Sequence, residues 1–569
     1  MTQHQAPPSS ASSSGAELRR HLGTLLPNRS DLAPLKTSWR RDLLAGLTVG
    51  VVALPLALAF GVSSGMGAAA GLVTAVVAGL VAAIFGGSHV QVSGPTGAMA
   101  VILAPIVVTH GAHAVVVISI LAGVILVLAG LARLGRIVVY IPWPVIEGFT
   151  AGIAIIIFLQ QVPLALDANP EAGHRPLTTA IEAVSLASFP QAGLALGLVL
   201  GVIAVSELCR RLPGNLPGAL IAVVLATVAA EVFRLDVARI GTLPHSLPAP
   251  TLPSIDPAIL PSLLGPALSV AALAAIESLL SARVAAGMAP TGRVLPDREI
   301  VGQGLASIAS GLFGGMPATG AIARTAVNVR AGASSRLASV THALLLALVV
   351  LVGAGLASQI PLAALAGVLM ATAIRMINPR EVLALMRLGR GPALTFAVTL
   401  ICTVALDLIT AVEVGIAVAA FFALRRLAST SHVEAETLPG LAQPGDEHIS
   451  LLRLDGSLFF GAADRVLDDI ADSQAWVVLL RLSQMGMLDS TGAHRLMELM
   501  AQLEARGITV MIKGLRPEHR EMARRAGVLG ALQHESHLFD DLPAAVEHAR
   551  DHVRRRLDLT AALGQDPAF

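Results

Sequence analysis

The sequence predicts a polytopic α-helical membrane protein of about fourteen transmembrane segments, arranged as two inverted sets of about seven and followed by a small cytoplasmic α/β domain. Three observations predict it. Apolar residues other than glycine make up 54% of the chain, only 14% of residues are charged, and the mean hydropathy is +0.73, outside the range of soluble globular chains. Apolar stretches of about 18 to 24 residues recur from near Asp42 to Arg425, each long enough to cross about 30 Å of hydrocarbon as a helix. Beyond Arg426 that pattern gives way to short apolar strands alternating with amphipathic helices.

Residues 1–38 are expected to form a partly disordered cytoplasmic segment, because the first sixteen are rich in Ser, Ala, Pro and Gln and lack the apolar core of a signal peptide. Residues 39–428 form the membrane domain, with spans expected to begin near residues 42, 66, 91, 114, 141, 191, 216, 264, 297, 318, 338, 362, 392 and 410, two of them short and broken. With the N-terminus inside, the inner loops carry Arg133, Arg136, Arg210, Arg211, Arg293, Arg298, Arg330, Arg336, Arg380, Arg387, Arg390, Arg425 and Arg426. Outer loops carry only Arg175, Arg234 and Arg239. That asymmetry follows the positive-inside rule, and an even number of spans returns the C-terminus to the cytoplasm. The Pro-rich stretch from Leu243 to Pro261 separates the two halves on the outside.

One constant offset aligns Ser93-Gly-Pro-Thr-Gly-Ala-Met-Ala100 with Met316-Pro-Ala-Thr-Gly-Ala-Ile-Ala323, matching Thr96 with Thr319, Gly97 with Gly320, Ala98 with Ala321 and Ala100 with Ala323. These segments are the third span of each half. An odd number of spans per half makes the second half enter from the opposite side, so the similarity implies an inverted repeat. Both segments are interrupted by Gly and Pro. An unwound stretch followed by a half-helix points backbone N–H groups and a positive dipole end at an anion, and two such ends facing each other at mid-bilayer make an anion site. The competing reading is that Thr-Gly-Ala simply lets helices pack closely.

The same offset sets Glu277 opposite Leu54, beside Pro55 in the first span, which brings this intramembrane acid near the same centre. A carboxylate there is costly and marks an ion or proton pathway. To coexist with an anionic substrate it must be protonated, balanced by Arg324, or neutralised by a co-transported cation such as Na+. Ser281, one turn beyond on the same face, completes a cation shell, hydrogen-bonds the carboxylate, or merely packs. Arg324 either raises the local potential for anions or anchors the helix at the cytoplasmic surface.

The segments Ala45-Gly-Leu-Thr-Val-Gly-Val-Val-Ala-Leu-Pro-Leu-Ala-Leu-Ala-Phe60, Ser93-Gly-Pro-Thr96, Glu277-Ser-Leu-Leu-Ser281 and Pro317-Ala-Thr-Gly-Ala-Ile-Ala-Arg-Thr325 resemble the sulfate permease (SulP) family of anion transporters over nearly the whole chain. The resemblance implies fourteen segments in a 7+7 inverted repeat divided into core and gate parts, an elevator-like motion of the core, and a homodimer in a bacterial inner membrane with both termini cytoplasmic. It carries the substrate site onto Leu56 and Phe60 in the first span, Thr96, Gly97 and Ala98 in the third, and Gly320, Ala321, Ile322 and Arg324 in the tenth. The coupling-ion position falls on Glu277 and Ser281, with Thr319 beside them. Leu56 replaces a glutamine common among relatives, and Ala323 a serine carried by animal members that resemble prestin, so backbone N–H groups must do more. Sulfate or bicarbonate is the expected substrate; a dicarboxylate, or a nucleobase in the same architecture, is the alternative.

Segment 429–446 reads as a linker, 447–555 as the α/β domain, and 556–569 as a tail. Trp476-Val-Val-Leu-Leu480, Asp489-Ser-Thr-Gly492 and Ile508-Thr-Val-Met-Ile512 resemble a STAS domain, which places Ser490 where the phosphorylatable serine of anti-sigma factor antagonists stands. The plainer reading is that Asp489 and Ser490 cap the next helix. Cys209 and Cys402 are the only cysteines, and no Cys/His cluster with metal-ligand spacing is evident. No disulfide, structural metal or cofactor other than a coupling Na+ is expected, and the lack of a Cys/His ligand set argues against an enzyme such as a carbonic anhydrase. The partners expected are a small anion, membrane lipid and a second copy of the chain, with no nucleic acid. A signalling protein merely anchored by its spans is the rival from another class.

Overall fold

The computed structural model describes residues 23–562 except 29–30, 32–34, 137–140, 171–174, 214–215, 254–256, 289–291, 293, 407, 461–462, 465–466, 468–469 and 471–472. Most of the expected N-terminal segment, Arg293, and residues 563–569 of the expected tail lie outside the described residues. Two compact units divide at Ile416 and Ala417.

The first unit is all helical apart from two short strands. Its elements are α1 (Leu35–Ser63), α2 (Ala68–Phe85), β1 (Ser93–Gly94), α3 (Gly97–Leu131), α4 (Trp143–Gln160), α5 (Val162–Ala165), α6 (Pro176–Leu186), α7 (Gln191–Arg211), α8 (Gly218–Val232), α9 (Leu260–Met288), α10 (Pro296–Leu312), β2 (Thr319–Gly320), α11 (Ile322–Arg330), α12 (Arg336–Ala357), α13 (Leu362–Met376), α14 (Pro379–Arg387), α15 (Arg390–Ala405) and the start of α16 (Leu408–Ser429), whose later residues belong to the second unit. Among the described residues, eight helices are long and apolar enough to cross a membrane. Two shorter apolar helices, the broken segment at β2–α11, α10, α16 and a bend that divides α3 make the order consistent with the expected fourteen. The spans expected near residues 91 and 114 form one element, α3, which bends at Gly111 with φ of 80°, a conformation that glycine adopts without the penalty of a Cβ. The order helix, helix, two-residue strand, helix occurs at α1–α3 and again at α9–α11.

The helices sort into two packed sets. In one, α1, α2, α3, α9, α10, α11 and α12 surround β1 and β2; in the other, α4, α7, α8, α13 and α15 pack together, with α1 and α3 making the contacts across. Small residues set the approach distances within each set. A Cβ on Gly123 of α3 would stand 2.5 Å from the carbonyl of Gly304 on α10, and one on Gly304 would stand 2.6 Å from the carbonyl of Gly123. No larger residue fits at that crossing.

Two arginines expected in cytoplasmic loops are buried in the structure. Arg298, 1% exposed, donates to both carboxylate oxygens of Asp31 at 3.2 and 2.7 Å and to the Phe85 carbonyl. Arg336, 8% exposed, donates to the carbonyls of Ala83 and Gly86 and lies 3.6 Å from Asp31. Their neighbours are the orphan carbonyls at the C-terminus of α2, which a forked guanidinium satisfies well. A count of loop charges cannot distinguish such a clasp from solvated anchors.

The second unit continues with β3 (His432–Glu436), β4 (Ile449–Leu458), β5 (Val477–Arg481), β6 (Met485–Leu488), α17 (Ser490–Ala505), β7 (Thr509–Lys513), α18 (Pro517–Arg525), β8 (Leu538–Phe539) and α19 (Leu542–Ala562). The sheet runs β3-β4-β5-β7-β8, with β6 also on β4; only β3 is antiparallel. Period-2 alternation splits the core. Leu452, Leu454, Val478 and Leu480 face α17, while Ile449, Leu451, Val477 and Leu479 face α19. Part of the expected linker is therefore strand: His432–Glu436 pairs with the polar edge of β4, and Arg453 of β4 forms ion pairs with Glu434 and Glu436. The fold also gathers His537, His548 and His552, with ring centroids 4.9, 5.2 and 5.5 Å apart. Spacing along the chain did not reveal this cluster, because a turn before β8 brings His537 to a helix that starts only later.

Candidate functional site

The two broken segments meet as the sequence repeat requires. β1 and β2 pair antiparallel, Ser93 with Gly320 and Gly94 with Thr319, and the Ala321 N–H extends the ladder to the Val92 carbonyl at 2.9 Å. Each strand leads into a helix N-terminus. At α3 the cap is Thr96, whose extended backbone and hydroxyl acceptor for the Met99 N–H (3.4 Å) suit that role. At α11 the cap is Ala321, with no side-chain cap. The first-turn N–H groups of both helices lack intrahelical partners by geometry, so two positive helix ends converge on one centre.

Glu277 on α9 links them. Its Oε2 accepts from the Thr96 hydroxyl at 2.9 Å and from the Thr319 hydroxyl at 2.8 Å, and the two hydroxyls lie 3.3 Å apart. Thr96, expected as a substrate contact, and Thr319, expected beside the coupling ion, thus share one carboxylate. The next residue, Ser278, anchors the same strand: its hydroxyl accepts from the Gly320 N–H at 3.0 Å, and its carbonyl accepts from the Gln91 side chain at 3.2 Å. A Cβ on Gly320 would fall 1.5 Å from Gln91 Nε2. The glycine is what lets Gln91 lie across the strand.

Arg324, 2% exposed, reaches back across the site. One guanidinium nitrogen donates to the Pro95 carbonyl in the opposite broken segment, and the other, Nη1, is buried without a hydrogen-bond partner. It is therefore an internal cross-tie and not a surface anchor. Ser281 is not bonded to Glu277. Its hydroxyl instead donates to Thr325 Oγ1 at 3.1 Å, which also takes the Val92 N–H, so Ser281 braces α11 one turn below the carboxylate.

The apolar wall comes from α1 and α4. Leu56 and Phe60 are 7% and 6% exposed, and a Cβ on Gly97 would meet Ile157 Cδ1 at 2.2 Å and Phe60 Cε1 at 3.2 Å. Phe60, Gly97 and Ile157 therefore close one side at the start of α3. Ala98 and Ala321 are buried, Ile322 is partly covered, and Ala323 is exposed, which marks the open side of the α11 N-terminus. Ser490 lies in the second unit at the first position of α17, exposed, while Asp489 is the cap, accepting from the Gly492 N–H at 2.7 Å.

Several polar residues behind the site escaped the sequence reading. Glu299 on α10 is 1% exposed and accepts from the backbone N–H groups of Gly87 and Ser88 at 2.7 and 3.0 Å and from Gln303 at 2.8 Å. Gln303 also donates to Ser93 Oγ at 2.7 Å, which holds the strand from behind. The signal available was an acid and an amide four residues apart inside an apolar helix.

A model of the sulfate permease family matches residues 39–399, and a STAS domain model matches residues 441–545. A Bacillus subtilis protein named as a sulfate transporter, YvdB, is 36% identical over 511 residues, covering 88% of this chain and 96% of its own length. The bicarbonate transporter BicA of Picosynechococcus is 33% identical over 456 residues, covering 75% and 80%. The solved transmembrane domain of a cyanobacterial BicA matches with a TM-score of 0.57 at 31% identity, over 67% of this chain and 97% of that one. The structure of SLC26A9 superposes with a TM-score of 0.80, covering 98% and 99% at 17% identity, a likeness of fold.

Proposed function

The chain belongs to the sulfate permease family, as a multi-pass membrane transporter and not an enzyme, and we propose that it moves a small inorganic oxyanion, sulfate or bicarbonate, across the bacterial inner membrane by secondary active transport. The observation that carries this reading is the carboxylate of Glu277 held by Thr96 and Thr319 between two helix N-termini. An anion there takes its hydrogen bonds from the backbone N–H groups of Gly97 and Ala98 on one side and of Ile322 and Ala323 on the other, where the dipole ends favour negative charge. Arg324 adds positive potential from behind.

Glu277 is the coupling residue. As an anion it opposes an anionic substrate, and a proton or Na+ bound with it removes that repulsion. The two threonine oxygens and the carboxylate form a compact oxygen-donor set suited to a hard cation, and Ser281 supports the helix that carries it. Loading the cation and the anion together is then cheaper than loading either alone. That thermodynamic coupling is what symport needs.

The division of the helices into two packed sets supports an elevator-like motion, in which the set carrying the site slides past the other with Phe60, Gly97 and Ile157 at the sliding surface. The protein works as a homodimer in the lipid bilayer, with both termini cytoplasmic. The test is uptake of labelled sulfate and of labelled bicarbonate into proteoliposomes under imposed Na+ or proton gradients. Gradient-driven uptake is expected for the wild type, and Glu277→Gln should lose the dependence on the gradient. Equal coupling in Glu277→Gln would demote the residue to structure, and no flux of either anion would overturn the substrate assignment.

A further inference from the structure

We propose that His537, His548 and His552 of the C-terminal domain form a binding site for a divalent transition-metal ion of the zinc class. Their ligating nitrogens all lie within 4.8 Å of one another. They come from two elements, His537 from the turn before β8 and the other two from one face of α19, spaced four residues apart. Two imidazoles one helical turn apart on a single face are a common way to offer two ligands to one ion.

The surroundings are those of a ligand set and not of a packed core. His537 is 0% exposed, and neither of its ring nitrogens meets the distance and angle of a hydrogen bond, with the backbone of Val510 beside it. His548 Nε2 is likewise buried without a partner. Buried polar nitrogens without partners are rare, because each loses its hydration and gains nothing in return. An ion that takes one lone pair from each ring explains one His537 nitrogen and His548 Nε2 together, and leaves the other His537 nitrogen to turn its N–H toward the Val510 backbone. Zinc binds imidazole nitrogen at about 2.0–2.1 Å, which puts tetrahedral ligands about 3.4 Å apart. The nitrogens must close by up to about 1.4 Å, and His548 and His552, both half-exposed on the helix surface, have room to turn. His534, exposed and 5.5 Å from His537 between centroids, or water takes the fourth position.

An all-imidazole set selects zinc, copper or nickel over magnesium and calcium, which prefer oxygen. Bound there, the ion joins α19 to the β7–β8 edge of the sheet, adding to the apolar stripe of Ala545, Val546, Ala549 and Val553 and to the bidentate Arg550–Asp446 pair. The docking of the C-terminal helix then depends on available metal.

The test uses the full chain without a histidine tag in detergent, titrated with Zn2+ against a chromophoric chelator of micromolar affinity, together with the metal content after desalting. The expected result is about one zinc per chain, with affinity lowered at least tenfold in the double variant His548→Gln/His552→Gln. Zn2+ should also slow amide exchange in α19 of the wild type and not of the variant. Because His537→Ala risks misfolding in a fully buried position, the helix-surface pair is the decisive variant, checked by its unchanged elution and circular dichroism. A wild type that does not compete with the chelator, or a double variant that retains both stoichiometry and affinity, overturns the proposal.

Discussion

Replacing Gly97 by alanine tests whether the contact between α3 and α4 governs transport. The new methyl group would stand 2.2 Å from Ile157 Cδ1 and 3.2 Å from Phe60 Cε1, while ordinary carbon contacts begin near about 3.5 Å. Ile157 is 1% exposed, so its end must shift by more than 1 Å inside a filled interface. Overpacking of that kind costs about 1–3 kcal/mol. If the two helices separate when the site changes sides, the cost falls on this arrangement alone and displaces the equilibrium by about 5- to 150-fold. The substitution keeps the backbone N–H of residue 97, so no anion donor is removed. Uptake in proteoliposomes should fall at least about fivefold, and Ile157→Val, which removes the clashing methyl group, should restore most of it in the double variant. Full activity in Gly97→Ala, or a loss that Ile157→Val does not relieve, would refute the argument.

Other substitutions probe the supports. Arg298→Met leaves the buried Asp31 carboxylate with the Asn28 N–H and the more distant Arg336; a loss of about 3–5 kcal/mol is expected, read as a lower thermal midpoint, and adding Asp31→Asn should cost less than the sum of the single changes. Asp489→Ala removes the cap of α17 and its bond to the Phe460 N–H and should cost about 1 kcal/mol in denaturant unfolding, whereas Ser490→Ala, exposed and not the cap, should stay within about 0.5 kcal/mol. The Arg550 fork on Asp446 holds its carboxyl below the ordinary value of 3.8. A depressed folded value means the stabilisation is complete above the ordinary value and disappears as the pH falls through the lower one. Acid unfolding of the wild type should therefore show a component in that window that Asp446→Asn lacks, and identical acid profiles would count against the pair.

The helical architecture was legible because hydropathy follows from the solvent. Every expected span but the one near residue 114 begins near the start of an observed helix or broken segment, since a bilayer admits no lipid-exposed backbone without internal hydrogen bonds. What hydropathy could not resolve was continuity: Gly111 turns two expected spans into one bent element because a single residue with positive φ redirects a helix without ending it. The histidine cluster and the strand within the expected linker depend on register and on a turn, which leave no periodic trace.

The site was legible in its parts and not in its wiring. The repeat brought Thr96, Thr319 and Glu277 to one centre, because an inverted duplication sets equivalent positions face to face around its axis. It could not assign their hydrogen bonds. Thr96 serves its own helix by accepting from the Met99 N–H, yet its hydroxyl and that of Thr319 both donate to the buried carboxylate, since an oxygen left without donors away from water is costly. The same reasoning places Arg324. An intramembrane guanidinium with a nearby carbonyl turns inward, so the Pro95 carbonyl, left without its ladder partner where β1 ends, becomes its acceptor. On the coupling proposed above, the effect is local: one carboxylate touches both broken helices, and whatever neutralises it changes what holds the two helix ends together.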